Sequence, residues 1–272
     1  MHENSIKISP TAVRKSVLKM LHRAKASHLG SNMSIIEMLI AVYGSVDCHK
    51  IREGALDRSR VLISKGHCAA ATYATMAHFG IIPTNLLDTY HLDGSLLTGH
   101  VSHVVDGVEH STGALGHGVN VAVGCALGLR SRGYDDSLAM VLVGDGEIQE
   151  GSIWEAMMYA VHMKLSNFIV LVDNNKISSI TNTDKVINMH PLSSRFEGFG
   201  LDVQEVNGHD VVAISSAINR TQGGARPRVI ICNTVKGRGV PFAEAEPIWH
   251  YKSLTDEQYE EAITYLNSLG ET

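Results

Sequence analysis

The feature that most constrains the fold is a strand–helix–strand pattern between residues 139 and 177. A short apolar run at 139–143 predicts a β-strand, an amphipathic stretch at 147–163 predicts a helix, and a second apolar run at 168–172 predicts another strand. Two strands joined by a crossover helix lie parallel and side by side in one sheet. The sequence therefore predicts an α/β fold with a parallel sheet.

Polar residues follow both strands of this unit. Asp145 stands between Gly144 and Gly146 after the first strand, and Asn175 follows the second. The carboxyl ends of parallel strands form the edge where open α/β folds bind ligands, so we expect Asp145 and Asn175 to face one site. Their oxygens suit Mg²⁺ or Ca²⁺, and Mg²⁺ commonly completes its coordination with water and phosphates. Glycines and the amides that open the next helix favour a phosphate. The implied ligand is a metal-bridged diphosphate.

Each half of this pattern also has an ordinary structural explanation. Gly-Asp-Gly is a common turn, and Asn-Asn is a common loop. The combination is more specific, because both segments follow apolar strands, a helix lies between them, and Asn175 comes about thirty residues after Asp145. That arrangement resembles the thiamine-diphosphate motif. The resemblance implies thiamine diphosphate and Mg²⁺ (or Ca²⁺) as cofactors.

Composition narrows the class of protein. Hydrophobic residues make up 44% of the 272 residues and charged residues 19%, as in soluble globular enzymes. The net charge of −5 gives no indication of nucleic-acid binding. No apolar run reaches membrane-spanning length, the amino terminus has no leader-like apolar segment, and the four cysteines show no close pairing. We therefore expect a cytoplasmic protein with reduced thiols, no membrane or nucleic-acid partner, and no domain boundary visible in the composition.

Other segments extend the α/β pattern. Helices are predicted after residue 66 and at 11–26, 34–43, 119–129, 211–219 and 256–269. Further strands are predicted at 60–65, 202–206 and 228–235. Ser34 is a candidate N-cap with Glu37 as its capping-box partner. Residues 98–116 and 178–195 are too polar or too rich in glycine for core elements, so we expect them to be loops around the ligand.

Three histidines and a lysine each have an ordinary structural explanation. His28 lies in a predicted loop, where a surface or capping role is the default. His67 follows a predicted strand, so it is either a helix-capping residue or a side chain at the ligand-binding edge. Lys236 belongs to the basic glycine segment 236–239, which is either a solvated turn or an anion contact. The segment around His250 is ordinarily a packing feature.

Seven segments, in order along the chain, resemble the amino-terminal, diphosphate-binding half of transketolases. They are SHLGSNMS, SKGHCAA, TGHVSHVVDGVEHSTGALGHG, VGDGEIQEGSIWEA, DNNKIS, NTVKGRGVPF and WHYKSL. The resemblance covers nearly the whole chain. It implies the thiamine-diphosphate-binding fold, with one diphosphate-binding domain over residues 1–272 whose mostly parallel central sheet carries helices on both faces.

The resemblance also implies roles for individual residues. Asp145, Asn175 and the backbone carbonyl of Ile177 would hold the metal. The cofactor contacts that it implies are His67, Gly113, Leu115, Gly144, Gly146, Glu147, Asn175, Lys236 and His250. Four histidines would line the substrate channel and act in catalysis, namely His28, His67, His100 and His250. Glu150 would belong to an acidic network that links cofactor sites across a subunit interface.

The activity implied by the resemblance is transfer of a two-carbon ketol unit from a ketose or ketose phosphate to an aldose acceptor. The pyrimidine-binding domain of full-length transketolases is absent from this sequence, so we expect it on a partner chain, in an α2β2 assembly that needs both subunits for activity. Three alternatives remain: the α subunit of a 2-oxo acid dehydrogenase, a non-catalytic cofactor-binding module, and a nucleotide-binding protein. The segments around His67 and His100 favour a transketolase over the dehydrogenase.

Overall fold

A five-stranded sheet forms the centre of the protein in a computed structural model that describes residues 8–220 and 226–270. The strands are β1 Arg60–Ile63, β2 Ala139–Gly144, β3 Phe168–Asn174, β4 Asp202–Asn207 and β5 Arg228–Asn233. Their order is β1-β2-β3-β5-β4, and every neighbouring pair is parallel. The predicted α/β fold and all the predicted strands are confirmed, although the strands predicted at 60–65 and 228–235 end two residues earlier, at Ile63 and Asn233.

Eleven α-helices accompany the sheet within the described ranges. They are α1 Pro10–Arg23, α2 Leu29–Ser34, α3 Ile36–Gly44, α4 Cys48–Arg52, α5 Ala69–His78, α6 His117–Ser131, α7 Gly151–His162, α8 Thr183–Val186, α9 Leu192–Gly198, α10 Val211–Asn219 and α11 Asp256–Ser268. No helix in this part of the chain has the length and apolar character needed to cross a membrane. The amino-terminal residues 1–7, which are predicted to contain no leader segment, lie outside the described residues.

Side chains of the central strands alternate between two hydrophobic cores. In β2, Met140 and Leu142 pack into a core with α1, α3 and α5, whereas Val141 and Val143 pack into a core with α6 and α7. The strands β3 and β5 show the same alternation. A parallel sheet covered on both faces explains why its strands are almost continuously apolar. Helices therefore lie on both faces, as predicted. The polar carboxyl ends of β2 and β3 are left uncovered by these helices.

The capping box predicted at Ser34 and Glu37 is wrong. Ser34 is the last residue of α2, and its buried hydroxyl donates to Asp173 at 2.7 Å. Glu37 is 5% exposed, and its carboxylate accepts a hydrogen bond from Arg14 at 2.6 Å. The local spacing is that of a capping box, but an ionised carboxylate in the interior is stable only with a charged partner. Tertiary packing, and not local spacing, therefore determines the partners of Ser34 and Glu37.

Two other predicted segments differ in detail. The stretch 178–195, predicted to be a loop, contains α8 and the start of α9, because Leu192 and Phe196 enter the hydrophobic core. The helix predicted at 147–163 starts as a 3₁₀ turn, Glu147–Gln149, and becomes α7 only after Glu150, whose backbone is extended. Residues 98–116 form neither helix nor strand, as predicted.

All four cysteines have free thiols, as expected.

Candidate active site

The carboxyl edge of the sheet opens into a cavity of about 510 Å³. In the pairing of β2 with β3, Gly144 lies opposite Asp173, so the residues that follow, Asp145 and Asn175, reach the same edge. Both line the cavity, together with most of the other residues singled out from the sequence. These are His28, His67, His100, Gly113, Leu115, Gly144, Gly146, Glu147, Ile177, Lys236 and His250. The structure thus brings all the candidates together except Glu150.

The two glutamates of the segment after β2 occupy different environments. Glu150 is exposed and directly precedes α7, outside the cavity. Its role at a subunit interface stays a prediction. Glu147 is 2% exposed and accepts hydrogen bonds from the Gly116 amide at 2.9 Å, from the Gly144 amide at 3.2 Å and from the Ser64 hydroxyl. It therefore ties the loop before α6 to the end of β2.

Asp145 is held in place by backbone amides. Its Oδ1 accepts a hydrogen bond from the Gly146 amide at 2.8 Å, and its Oδ2 accepts one from the Lys176 amide. Burial, followed by the negative charge of Asp173, raises the pKa of Asp145 to about 7. A cation beside this carboxylate would favour its ionised form, because opposite charges stabilise each other strongly away from water.

A second buried carboxylate, which the sequence reasoning did not single out, organises the site. Asp173 is fully buried and accepts hydrogen bonds from four segments of the chain. The donors are Ser34 Oγ, Lys65 Nζ, Asn175 Nδ2 and Thr234 Oγ1. Because an ionised carboxylate only accepts, Asn175 turns its NH₂ group toward Asp173 and its Oδ1 the other way. Asp173, together with the Ile177 amide that donates to Oδ1 at 3.0 Å, therefore sets the orientation of a predicted metal ligand.

A signal for this carboxylate is present in the sequence. Asp173 directly continues a buried apolar strand, and a charge in such a position requires a partner. That partner is Lys65, which follows the strand β1 and is itself buried. Burial alone would raise the pKa of Asp173, but the Lys65 ammonium holds it below its ordinary value.

The groups at the cavity fit a hard divalent cation and a diphosphate. Asp145, Asn175 and Ile177, which line it, can offer a carboxylate, an amide oxygen and a backbone carbonyl, and oxygen donors are what Mg²⁺ and Ca²⁺ prefer. Within residues 8–220 and 226–270 no group of three or more His, Cys, Asp or Glu side chains is placed to hold a metal ion. A Cβ atom added at Gly144 would meet no atom within 4 Å, so the backbone here borders open space that a phosphate can approach.

Lys236 brings a positive charge to the cavity. It is 2% exposed, and its Nζ donates to the backbone carbonyls of Ile177 at 3.0 Å and Ser178 at 2.7 Å. Burial, followed by the charge of Lys65, lowers the pKa of Lys236 to about 8. The ammonium group is still mostly charged at pH 7, and lysine is a common point-charge partner of phosphate. Of the two explanations of segment 236–239, the structure excludes the solvated turn for Lys236.

Four histidine rings pack against one another in the cavity. The centroid of the His28 ring lies 5.0 Å from that of His250, 5.4 Å from that of His67 and 5.7 Å from that of His100. Burial, followed by neighbouring positive charges, lowers the pKa of His28 to about 4 and that of His250 to about 3. Burial also lowers the pKa values of His67 and His100. The rings are therefore neutral at pH 7, where each can donate one hydrogen bond and accept another.

Exposed apolar side chains surround the cavity. Leu115, Ile180, Val186 and Tyr251 line it and are 37%, 75%, 48% and 63% exposed. We call these four residues the apolar rim. Two of them lie in the stretch 178–195, so that stretch borders the cavity as expected. Apart from Leu115, the rim residues were missed in the sequence because they are scattered along it and meet only in the fold.

Comparisons with known proteins indicate the family. The family described as transketolase, thiamine diphosphate binding domain, matches residues 7–267. The chain is 35% identical over 269 residues to an apulose-4-phosphate transketolase subunit from Phocaeicola vulgatus, which covers 97% of this chain and 94% of the relative. It is 34% identical over 279 residues to a 6-deoxy-6-sulfo-D-fructose transketolase subunit from Clostridium sp. (strain MSTE9), which covers 99% of this chain and 100% of the relative.

Solved structures give the same result for the fold. The transketolase from Campylobacter jejuni superposes with a TM-score of 0.86 at 28% identity. The match covers 98% of this chain but only 43% of that transketolase, so the chain spans less than half its length. The family match, the two relatives and the parallel sheet with its oxygen-lined cavity lead to one conclusion: the chain belongs to the transketolase family, as a thiamine-diphosphate-binding domain.

Proposed function

We propose that this chain is the diphosphate-binding subunit of a two-subunit transketolase, which transfers a two-carbon ketol unit from a ketose or ketose phosphate to an aldose. The observation that carries the proposal is the shared position of Asp145, Asn175, Ile177 and Lys236 in the lining of one cavity. Oxygen ligands for a divalent cation and an ammonium group for a phosphate lie together there. A metal-bound diphosphate requires both.

Each group of side chains has a separate task in this mechanism. Asp145, Asn175 and Ile177 would hold Mg²⁺ or Ca²⁺, and Lys236 would neutralise charge on the diphosphate. Thiamine diphosphate, when bound, supplies the electron sink for breaking a carbon–carbon bond beside the ketose carbonyl. The protein contributes the position of the reacting groups and the transfer of protons.

Proton transfer and sugar orientation fall to the four histidines. A neutral imidazole can accept a proton from a hydroxyl group on one nitrogen while its other nitrogen donates a hydrogen bond. His28, His67, His100 and His250 start neutral because burial lowers their pKa values. Because the four rings contact one another, several hydrogen-bond donors and acceptors would lie close to one small, hydroxyl-rich substrate.

A partner subunit is the second part of the proposal. The apolar rim leaves hydrophobic surface exposed around the cavity, and such surface marks sites of protein interaction. Relatives that match this chain over nearly their whole length are named as subunits, and the C. jejuni transketolase is more than twice as long as the matched part. We therefore expect a pyrimidine-binding subunit to cover the cavity in an α2β2 assembly, with Glu150 at a contact between subunits.

Binding of the metal-bound diphosphate can be tested on this chain alone. Magnesium pyrophosphate should stabilise the wild type by about 2.7 kcal/mol at 100 times its dissociation constant. Asp145→Asn should lose this stabilisation at the same concentration, because an amide carries no negative charge for the cation. Asp136→Asn, an exposed aspartate before β2 and thus at the opposite edge of the sheet, is the control. Equal stabilisation of Asp145→Asn and wild type would refute the metal assignment.

Activity tests the division of the enzyme into two subunits. The chain mixed with thiamine diphosphate, Mg²⁺ and a ketose phosphate should be inactive alone and active once the pyrimidine-binding partner is added. Turnover without that partner would refute the division. If the chain were instead the α subunit of a 2-oxo acid dehydrogenase, the reconstituted complex should act on pyruvate and not on the ketose phosphate. Thermal protection by ATP or NAD, but not by thiamine diphosphate with Mg²⁺, would favour a nucleotide-binding protein.

A further inference from the structure

The segment that carries Lys236 is held at both ends by side chains outside the cavity. The Val235 amide donates a hydrogen bond to His209 Nε2 at 2.8 Å. The Arg238 carbonyl accepts a hydrogen bond from Arg14 Nε at 3.0 Å. The backbone is therefore fixed immediately before Lys236 and again shortly after it.

A buried glutamate joins these two contacts. Arg14 donates to Glu37 Oε1 at 2.6 Å, and His209 Nδ1 lies 3.2 Å from Glu37 Oε2. Arg14 and Glu37 are each 5% exposed, and the side chain of His209 is 11% exposed. The three residues come from α1, from α3 and from the turn before α10, and none of them lines the cavity. A buried polar network whose members are all paired is rigid.

The hydrogen bonds also define the protonation of His209. Because the Val235 amide donates to Nε2, that nitrogen carries no proton. The proton of the neutral ring is then on Nδ1, which donates it to Glu37. The imidazole thus connects a backbone donor on one side to a carboxylate acceptor on the other. A side chain lacking either function would break the connection.

Close packing leaves the Lys236 segment little room to move. A Cβ atom at Gly239, where φ is +84°, would lie 2.8 Å from Arg14 Cδ. A Cβ atom at Gly30 would lie 3.1 Å from Lys236 Cγ, and the Gly237 amide donates to the Gly30 carbonyl at 2.9 Å. A shift of Arg14 would therefore move the backbone of this segment, and with it the ammonium group of Lys236.

We propose that Arg14, Glu37 and His209 are positioning residues for Lys236, which place its ammonium group for a metal-bound diphosphate without touching the cavity. The inference rests on the proposed function, because it concerns the same cavity. It predicts that variants of the network weaken diphosphate binding and loosen the backbone of residues 234–240, and that both effects appear together.

Substitutions can separate positioning from a general effect on the fold. His209→Phe keeps a ring and removes both of its hydrogen bonds, and Arg14→Lys keeps the positive charge but loses the donor to Arg238. Both variants should bind magnesium pyrophosphate about 10- to 100-fold more weakly than wild type, by analogy with the loss of a group that orients a metal ligand. His209→Gln, which can still accept and donate, should bind nearly as well as wild type. Arg228→Lys is the matched control, because Arg228 is a buried arginine at the far end of β5 that also bonds backbone carbonyls.

Amide hydrogen exchange supplies a readout without ligand. In the full-length chain, peptides covering residues 234–240 should exchange faster in His209→Phe and Arg14→Lys than in wild type or Arg228→Lys. Binding that matches the control in both variants would overturn the positioning role, whether or not exchange changes. Absence of magnesium pyrophosphate binding by the wild type would instead overturn the proposed function, and the role of Lys236 with it. The two failures are therefore distinguishable.

Discussion

Replacing Asp173 by Asn removes the charge that neutralises Lys65 inside the protein. The two side chains are 0% and 2% exposed. Removing one partner of a buried ion pair costs about 3–5 kcal/mol, because the remaining charge stays buried without compensation. A typical domain has an unfolding free energy of only about 5–15 kcal/mol. Asp173→Asn should therefore lose a large part of the stability of the fold while leaving the shape of the side chain unchanged.

The same substitution should weaken diphosphate binding by a separate route. An amide at position 173 can donate as well as accept, so it no longer forces the NH₂ group of Asn175 to turn toward it. The direction of the Asn175 Oδ1 atom then depends on the Ile177 amide alone, which donates to it at 3.0 Å. Affinity for magnesium pyrophosphate should fall by about 10- to 100-fold, as for other groups that orient a metal ligand.

Urea denaturation measures the loss of stability, and titration calorimetry with magnesium pyrophosphate measures the loss of affinity. The double variant Lys65→Met with Asp173→Asn should regain much of the stability, since no buried charge is left unpaired. Its binding should stay weak. Asp88→Asn, which removes exposed ion pairs with Lys19 and Arg23, is the control and should change stability little. A loss below about 1 kcal/mol in Asp173→Asn would refute the reasoning, because it is outside the range for a buried pair.

Three further predictions concern packing, pH and thiol chemistry. Gly66→Ala should lower the unfolding free energy by about 1–3 kcal/mol, because the new Cβ would lie 2.5 Å from the Thr112 carbonyl oxygen. Gly124→Ala should raise the unfolding free energy by about 0.5–1 kcal/mol, because a Cβ there meets no atom within 4 Å. Equal effects of the two substitutions in urea denaturation would contradict this packing. Between pH 6.5 and about 4 the unfolded chain binds a proton at His28 that the folded chain does not, so the unfolding free energy should fall as the pH falls through this window. His28→Gln should reduce the slope of unfolding free energy against pH. An unchanged slope would contradict the lowered pKa of His28. Iodoacetamide should leave Cys48 unmodified in the native chain at mildly alkaline pH, because burial raises the pKa of its thiol to about 12; rapid labelling detected by mass spectrometry would show otherwise.

The sequence predicts the sheet and the position of the cavity well for a physical reason. Parallel strands buried on both faces must be continuously apolar, so runs such as 139–143 and 168–172 are easy to recognise. Once two such strands are neighbours, the residues that follow them reach the same edge. The placement of Asp145 and Asn175 therefore depends on short-range pattern and simple topology, both of which a single sequence contains.

Polar contacts between distant segments are not predicted in the same way. Ser34 and Glu37 have the spacing of a capping box, yet their partners are Asp173 and Arg14, which lie far away in the sequence. His209 has no local signal at all, because its role depends on α3 and on the segment after β5 meeting around it. Such contacts are decided by packing between elements, which periodicity and spacing do not encode.

The close packing of the four histidines has a consequence for proton uptake. Two unit charges about 5 Å apart near a protein surface repel by roughly 3 kcal/mol. The first ring to become protonated therefore makes the next protonation much harder, and the cluster fills one site at a time over a wide range of acidity. A proton on His28 would repel a second proton on His250, whose ring centroid is 5.0 Å away. The imidazoles therefore titrate as one coupled group, which binds a first proton far more readily than a second.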